Sequence, residues 1–236
     1  MTALPHDELW PRAGHWLSST KPEKKPNLTY LGVPAFKTSI SQTNAHATPN
    51  AVRDALLRYS TYSWSHELDV RYVTFYDGGD VVDPDFADGE TRVEAKVNEL
   101  KDTDLLIAAG GDNSITYSVA KAAWGNQIGK AGLITFDAHH DLRDGESNGS
   151  PVRRLIAAGL QGTHVVQIGI SDYANSPAYA KRAKEYGITV ITRDALRRRS
   201  LKDVMDEAIE IAGASGGPVH LDVDVDVCDR SEVPAC

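Results

Sequence analysis

The sequence predicts an α/β protein with three layers, in which helices cover both faces of a mostly parallel sheet. Short apolar runs that fit buried strands alternate with longer segments whose apolar residues recur at helical spacing. Polar residues cluster directly after three of these runs, and open parallel sheets bind their ligands at the carboxyl ends of strands. The fold class therefore predicts one functional edge to which all three clusters contribute.

The individual elements follow from these patterns in chain order. The predicted strands are short runs rich in apolar residues, and they span Leu28–Val33, Arg71–Tyr76, Asp104–Ala109, Leu133–Phe136, His164–Ile170, Ile188–Ile191 and Pro218–Val225. After the second of them, Asp77-Gly-Gly-Asp80 is typical of a turn. The predicted helices show helical spacing, several with a Pro at the start, and they span Asn50–Tyr59, Thr91–Leu100, Ser114–Trp124, Pro151–Gly159, Pro177–Tyr186 and Leu201–Ala212.

Composition limits the organisation and the partners. Residues 1–27 are rich in Pro, Lys and His and are predicted to be an arm on the surface or on a neighbouring subunit, whereas residues 28–236 form one domain. The net charge of −8 argues against nucleic acid or an anionic membrane as the main partner. No apolar run approaches the roughly 20 residues that span a bilayer. The two cysteines are too few for a disulfide framework, which favours a reducing cytoplasm.

The first polar cluster is Asp137-Ala-His139-His-Asp141, directly after an apolar run. In an extended segment, alternate side chains point to one side, so Asp137, His139 and Asp141 could face one cation while His140 points away. Carboxylates combined with imidazole suit Mn, Fe, Zn or Co better than Ca or Mg. A turn with solvated charges explains this motif alone equally well.

The second cluster makes a metal site the better interpretation. Asp222, Asp224 and Asp226 alternate with Val223, Val225 and Val227. An edge strand with a solvated acidic face is one interpretation, but the valine face favours a central, buried strand. Like charges on one strand face repel each other, so two such clusters favour a site for two ions with shared carboxylates.

Two further features are open to alternative interpretations. The turn Gly110-Gly-Asp-Asn-Ser114 fits a strand-to-helix turn capped by Asn113 or Ser114 better than a phosphate-binding loop, because it lacks the lysine. Arg143 continues the alternation of the first cluster. It indicates either a substrate with a carboxylate or a surface salt bridge, and spacing alone does not separate them.

Together, the three clusters resemble the motifs of the ureohydrolase family, which includes arginases and agmatinases. The resemblance runs from about Tyr30 to the end of the chain, and it implies an arginase-like fold. Family members continue beyond the position of Cys236, so we expect a C-terminally truncated chain. The resemblance also implies a homo-oligomer.

The resemblance implies a site with two Mn²⁺ ions. The residues that match the family's metal ligands are Asp137, His139, Asp141, Asp224 and Asp226. Asn113 stands where the family has histidine, so one ion is expected to be held more loosely. Asp222 stands where the family usually has serine and is not counted as a ligand.

Within the family, the segments Asp137–Arg143, Ser147–Arg154 and Gln167–Ser176 resemble formimidoylglutamases most. This implies hydrolysis of N-formimidoyl-L-glutamate to L-glutamate and formamide in histidine breakdown. Asp141 would orient the attacking water and pass on its proton, and Arg143, Asn148 and Ser150 would bind the anionic substrate. One alternative is agmatinase or another guanidino hydrolase. An alternative of another class is a non-catalytic metal-binding or assembly subunit.

Overall fold

The computed structural model describes residues 6–229 and 231–233. They belong to two compact units: the first contains residues up to 37 and 41–115, and the second contains residues 38–40 and the chain from 116 onward. Within the described ranges, no helix is both long enough and apolar enough to cross a membrane.

The first unit is built on a four-stranded parallel sheet. Its strands, in chain order, are β1 (Leu17–Ser18), β2 (Leu28–Val33), β3 (Tyr62–Ser63), β4 (Leu68–Asp69), β5 (Phe75–Asp80) and β6 (Leu105–Gly110). The sheet has the order β1-β5-β2-β6, while β3 and β4 form a separate antiparallel pair. Its helices are α1 (Ala13–Trp16), α2 (Thr48–Leu56) and α3 (Phe86–Leu100), with 3₁₀ turns at Ala45–Ala47 and Val70–Tyr72. Strand β2 is buried almost throughout, as expected for a strand between two others.

The structure of this unit differs from the sequence-based expectation at two places. The predicted strand Arg71–Tyr76 is wrong in its bounds, because Asp69 caps a 3₁₀ turn there by accepting a hydrogen bond from the Arg71 amide. The strand begins at Phe75 instead and includes the expected turn 77–80, whose two aspartates are neutralised by Arg53. Part of the predicted arm also joins this unit, since Leu17–Ser18 pairs with β5.

The second unit contains the better-predicted half of the chain. Its strands are β7 (Gly132–Phe136), β8 (Val165–Ile170), β9 (Thr189–Thr192) and β10 (Val219–Val223), which pair in parallel in the order β10-β7-β8-β9. Its helices are α4 (Ile115–Trp124), α5 (Pro151–Ala157), α6 (Pro177–Tyr186), α7 (Arg193–Leu196) and α8 (Leu201–Ala212). Its 3₁₀ turns are Gly125–Lys130, Gly162–His164 and Val225–Val227. The predicted bounds of α6 and α8 are confirmed, each helix beginning after a serine that caps it.

Side chains from both faces of the second sheet are buried under helices. Leu133 of β7 packs with residues of α4, α5 and α6, whereas its neighbour Ile134 packs with α8. This unit is therefore a three-layer α/β arrangement, as the sequence predicts. The expectation of a central β10 is wrong for the described chain: β10 is an edge strand, and Leu221 and Val223 are 52% and 60% exposed.

Candidate metal centre

The end of β7 continues directly into the first acidic segment, residues 137–141. The Asp137 amide donates to the carbonyl of Ile168 at 3.0 Å, so pairing with β8 extends to this residue. The buried Asp137 carboxylate accepts a hydrogen bond from the His139 amide at 2.6 Å. At Asp141 the backbone is left-handed, with a φ of 54°. The segment therefore bends and does not continue the strand, so strand alternation alone does not set the side-chain directions.

The second acidic segment, residues 224–227, follows β10 and lies beside the first. The Asp224 amide donates to the Phe136 carbonyl at 2.9 Å, and the Asp224 side chain caps the 3₁₀ turn Val225–Val227 through the Asp226 amide. One oxygen of Asp226 accepts a hydrogen bond from the Ala138 amide at 3.0 Å. The two strand ends thus carry their polar side chains to one place.

The ligand atoms of Asp137, His139 and Asp226 all lie within 4.8 Å of one another. His139 Nδ1 is 2.9 Å from Asp226 Oδ2 and 3.5 Å from Asp137 Oδ1. These are three of the residues predicted as metal ligands, and they come from both segments. Three convergent donors of this kind could hold a metal ion.

The carboxylates of this centre are crowded and mostly buried. Burial, together with the charges of Asp224 and Asp226, raises the pKa of Asp137 to about 7. Burial also raises the pKa of Asp141 well above its usual range, and the charges of Asp137, Asp222 and Asp224 act in the same direction. Asp141 and Asp224 therefore belong to the same electrostatic cluster as the three convergent ligands. A bound cation would reduce the repulsion between these carboxylates. Without a cation, bound protons reduce it.

His139 partly supplies that positive charge. Hydrogen bonds to Asp137 and Asp226 raise the pKa of His139 to about 10. Burial opposes ionisation of Asp226, but hydrogen bonds from His139 and the Ala138 amide lower the pKa of Asp226 overall. Asp226 makes the shorter contact with the imidazole, whereas the hydrogen bond to Asp137 raises the pKa of His139 most.

The donor set fits a divalent transition metal. Asp137, His139, Asp141, Asp224 and Asp226 provide four carboxylates and one imidazole, a mixture that suits Mn²⁺ or a similar ion. Their buried negative charge is the observation that calls for a cation.

Asp222 is part of this cluster although sequence reasoning does not count it as a ligand. Burial, followed by the charge of Asp137, raises the pKa of Asp222 to about 7, and the Thr116 hydroxyl donates to its Oδ1 at 3.0 Å. The contact with Thr116 joins residues far apart in the chain, and the sequence offers no signal for it.

The three predicted substrate-binding residues lie in one loop but differ in exposure. Arg143 is exposed, and its Cδ lies where a side chain at position 149 would be, so Gly149 leaves room for it. The Asn148 side chain accepts a hydrogen bond from the Ile40 amide at 3.1 Å. Ser150 is fully buried and its hydroxyl binds the backbone of Ser147, which argues against the predicted substrate contact. Its role is to shape the loop.

Asn113 lies in the first unit, after β6. In the same turn, the Asp112 side chain accepts hydrogen bonds from the amide and the hydroxyl of Ser114. The role of Asn113 as a metal ligand stays a prediction.

Arg193, which sequence reasoning does not single out, holds the second segment. Its guanidinium donates to the carbonyls of Asp226 and Val227 at 3.1 and 2.7 Å and pairs with Asp229 at 3.0 Å. Arg193 follows β9 directly, so the sheet supports the turn that carries Asp226.

Gly169, at a bulge in β8, makes room for the same turn. Its φ is 98°, and a Cβ there would lie 2.4 Å from Val227 Cγ2. We expect Gly169→Ala to lower the free energy of unfolding by about 1–3 kcal/mol, because it adds backbone strain and a clash. Urea unfolding measures this loss. Gly216→Ala is the matched control, since Gly216 also has a positive φ but no atom within 4 Å of the added Cβ. Equal losses in both variants would contradict the clash.

Comparison with known proteins places these motifs in a family. The model of the arginase family matches residues 27–236. Formimidoylglutamase of Halalkalibacterium halodurans is 37% identical over 216 residues, which cover 87% of this chain and 67% of that protein. Formimidoylglutamase of Bacillus subtilis is 35% identical over 217 residues, with the same coverage. The chain spans about two thirds of the length of these relatives.

Solved structures show the same similarity. The crystal structure of the Bacillus subtilis formimidoylglutamase matches with a TM-score of 0.90 at 30% identity, covering all of this chain and 76% of that one. A Trypanosoma cruzi formiminoglutamase solved with Mn²⁺ matches with a TM-score of 0.79 at 21% identity, covering 86% and 72% of the two chains. At that lower identity, the match shows the fold.

Proposed function

From the premise that this chain belongs to the arginase family, we propose that it hydrolyses N-formimidoyl-L-glutamate to L-glutamate and formamide. Water is added at the formimidoyl carbon, and the bond from that carbon to the glutamate nitrogen is broken. The observation that carries the proposal is the convergence of Asp137, His139 and Asp226 at two strand ends. The choice of substrate is supported by relatives named formimidoylglutamase.

The proposed metal is Mn²⁺, two ions per chain. Asp137, His139, Asp141, Asp224 and Asp226 would hold them, with Asn113 as a weaker ligand. The fold match to the Mn²⁺-containing Trypanosoma cruzi formiminoglutamase supports this choice of metal. When bound, the ions would lower the pKa of a water molecule so that hydroxide is available near neutral pH.

Asp141 is the proposed catalytic residue. Its carboxylate is buried beside Asp137, and burial raises its pKa well above the usual range, which favours acceptance of a proton. It would orient the attacking water, accept its proton, and release that proton to the departing nitrogen.

Arg143 is the proposed contact for a substrate carboxylate. Its guanidinium is exposed two residues beyond Asp141, and a planar guanidinium pairs well with a carboxylate. Arg143 disfavours agmatine, which is a cation. Asn148 lies in the adjoining turn and is a second polar group for the same end of the substrate.

We expect Arg143→Ala to raise KM for formimidoylglutamate by roughly 10- to 100-fold, because it removes a charge-assisted pair. Initial-rate kinetics of formamide release measure this change. Arg198→Ala is the control: it removes another exposed arginine, which pairs with Asp194 on the surface. An unchanged KM in Arg143→Ala would exclude the contact.

Product identification tests the reaction itself. The chain is incubated with Mn²⁺ and either formimidoylglutamate, agmatine or arginine, and formamide and urea are measured. Formamide from the first substrate supports the proposal, and urea from either of the others supports a guanidino hydrolase instead. Mn²⁺ binding without any product would favour a non-catalytic subunit.

A further inference from the structure

Gln167 is a polar residue in the middle of an otherwise apolar strand. Strand β8 is buried at every position, and Gln167 itself is 0% exposed. A buried amide is costly unless its hydrogen bonds are made. Its partners are therefore informative about why the amide is there.

Both ends of the Gln167 side chain bind His140. Its Nε2 donates to the His140 carbonyl at 2.9 Å, and its Oε1 lies 2.7 Å from His140 Nδ1. Because Nε2 is used as the donor, Oε1 must be the acceptor and Nδ1 must carry a proton. One side chain thus fixes both the backbone and the ring of His140.

Asn175 holds the same segment from the next loop. Its Oδ1 accepts a hydrogen bond from the His140 amide at 2.9 Å, and its Nδ2 donates to the Ala138 carbonyl at 3.0 Å. This is the pattern by which a neighbouring strand would pair with residues 138–140. The amide side chain adds to the backbone pairing at this point, where the Ser171 amide also donates to the Ala138 carbonyl at 3.1 Å.

We propose that Gln167 and Asn175 are positioning residues that hold residues 138–140 so that His139 and Asp141 face the metal centre. The proposal rests on the proposed function, because it assumes that this centre binds metal. We call Gln167 and Asn175 the clamp. The residue that they hold, His140, lies between the two ligands.

The clamp lies directly before a strained position of the backbone. The left-handed backbone at Asp141 is a strained conformation that persists only when its surroundings fix it. Four hydrogen bonds from two amides supply that restraint.

Direct Mn²⁺ titration of the purified chain tests the proposal. We expect Asn175→Ala to weaken Mn²⁺ binding by about 10- to 100-fold, as loss of a group that orients metal ligands does. Ser176→Ala is the matched control: it removes the hydrogen bond that caps α6 one residue away, and it should change the affinity less than about twofold. Wild-type affinity in Asn175→Ala, or equal weakening in both variants, would overturn the proposal.

Amide hydrogen exchange of the metal-free chain provides a second, independent measurement. Exchange in the peptide that contains residues 138–141 should be faster in Asn175→Ala and in Gln167→Met, and unchanged in Ser176→Ala. If Gln167→Met does not fold, Asn175→Ala alone decides, since Asn175 is only partly buried. Unchanged exchange in a folded Asn175→Ala would contradict the clamp.

The two proposals fail in different ways. If the wild-type chain binds no Mn²⁺, the proposed function is wrong. If the wild type binds Mn²⁺ and Asn175→Ala binds it equally well, the metal site stands and the clamp is wrong.

Discussion

Replacing Asp137 or Asp224 by alanine is expected to abolish Mn²⁺ binding and to lower the rate of formamide release by roughly a thousandfold or more. Metal ions contribute several kcal/mol of transition-state stabilisation, and each 1.36 kcal/mol is tenfold in rate. Asp137 is buried at the end of β7, and its charge acts directly on Asp141. Asp224 both acts on Asp141 and caps the turn that presents Asp226.

Metal content and activity are measured on the same preparations. Manganese per chain is determined by mass spectrometry of the metal, and formamide release is followed under saturating substrate. Asp194→Ala is the control, because Asp194 is a surface aspartate paired with Arg198. Full activity in either Asp137→Ala or Asp224→Ala would exclude a site with two ions.

Removing manganese is expected to destabilise the chain strongly. A ligand present at 1,000 times its Kd raises the free energy of unfolding by about 4 kcal/mol, provided the unfolded chain does not bind it. The gain should be larger at pH 8 than at pH 6. The pKa of Asp137 is about 7, so below that pH a proton competes with the metal for the carboxylate.

Without metal, stability should fall as pH rises from about 7.5 to 10. The pKa of His139 is about 10 in the folded chain against the ordinary 6.5, so its contribution is complete below 6.5 and lost by about 10. The raised pKa values of Asp137 and Asp222 also make stability fall as pH rises, but mainly between about pH 4 and pH 7. There the buried His220, whose pKa is lowered to about 4, acts in the opposite direction. Asp141, whose pKa burial also raises well above its usual range, acts in the same direction, so a variant of the partner of His139 is needed to identify the contribution of His139.

Urea unfolding with a chelator, and again with Mn²⁺, measures both effects across pH. The loss from His139 is on the order of 1–2 kcal/mol, because solvent screens its half-exposed ring. Asp226→Asn should flatten the profile above pH 7.5, since Asp226 is the nearer partner of the ring. Stability that rises between pH 7.5 and 10 would contradict this account.

The fold was predictable where local signals agree with burial. Helices α6 and α8 begin after Ser176 and Ser200, which cap them, and strands β7 and β8 are apolar runs that lie in the core. Strand β5 was mislocated because Asp77-Gly-Gly-Asp80 has the composition of a turn. Arg53, distant in the chain, neutralises both aspartates and lets the strand continue.

The acidic residues of the centre were predictable for a different reason: their spacing and their place after strands are visible in the chain. Asp137, His139 and Asp226 do converge. Their supports were not predictable, because Gln167 and Asn175 contact His140 across 27 and 35 positions of sequence. Ser150 shows the opposite case. Its place in a segment that resembles the family predicted a substrate contact, but its side chain is buried in the loop.

The left-handed Asp141 has a consequence for engineering. Glycine adopts a φ of 54° freely, whereas aspartate at such a position costs on the order of 1 kcal/mol, and burial of its charge adds to that cost. A library selected for thermal tolerance alone, at alkaline pH and without manganese, should therefore enrich glycine at position 141. The variants that survive such a selection best would be the ones that had lost catalysis.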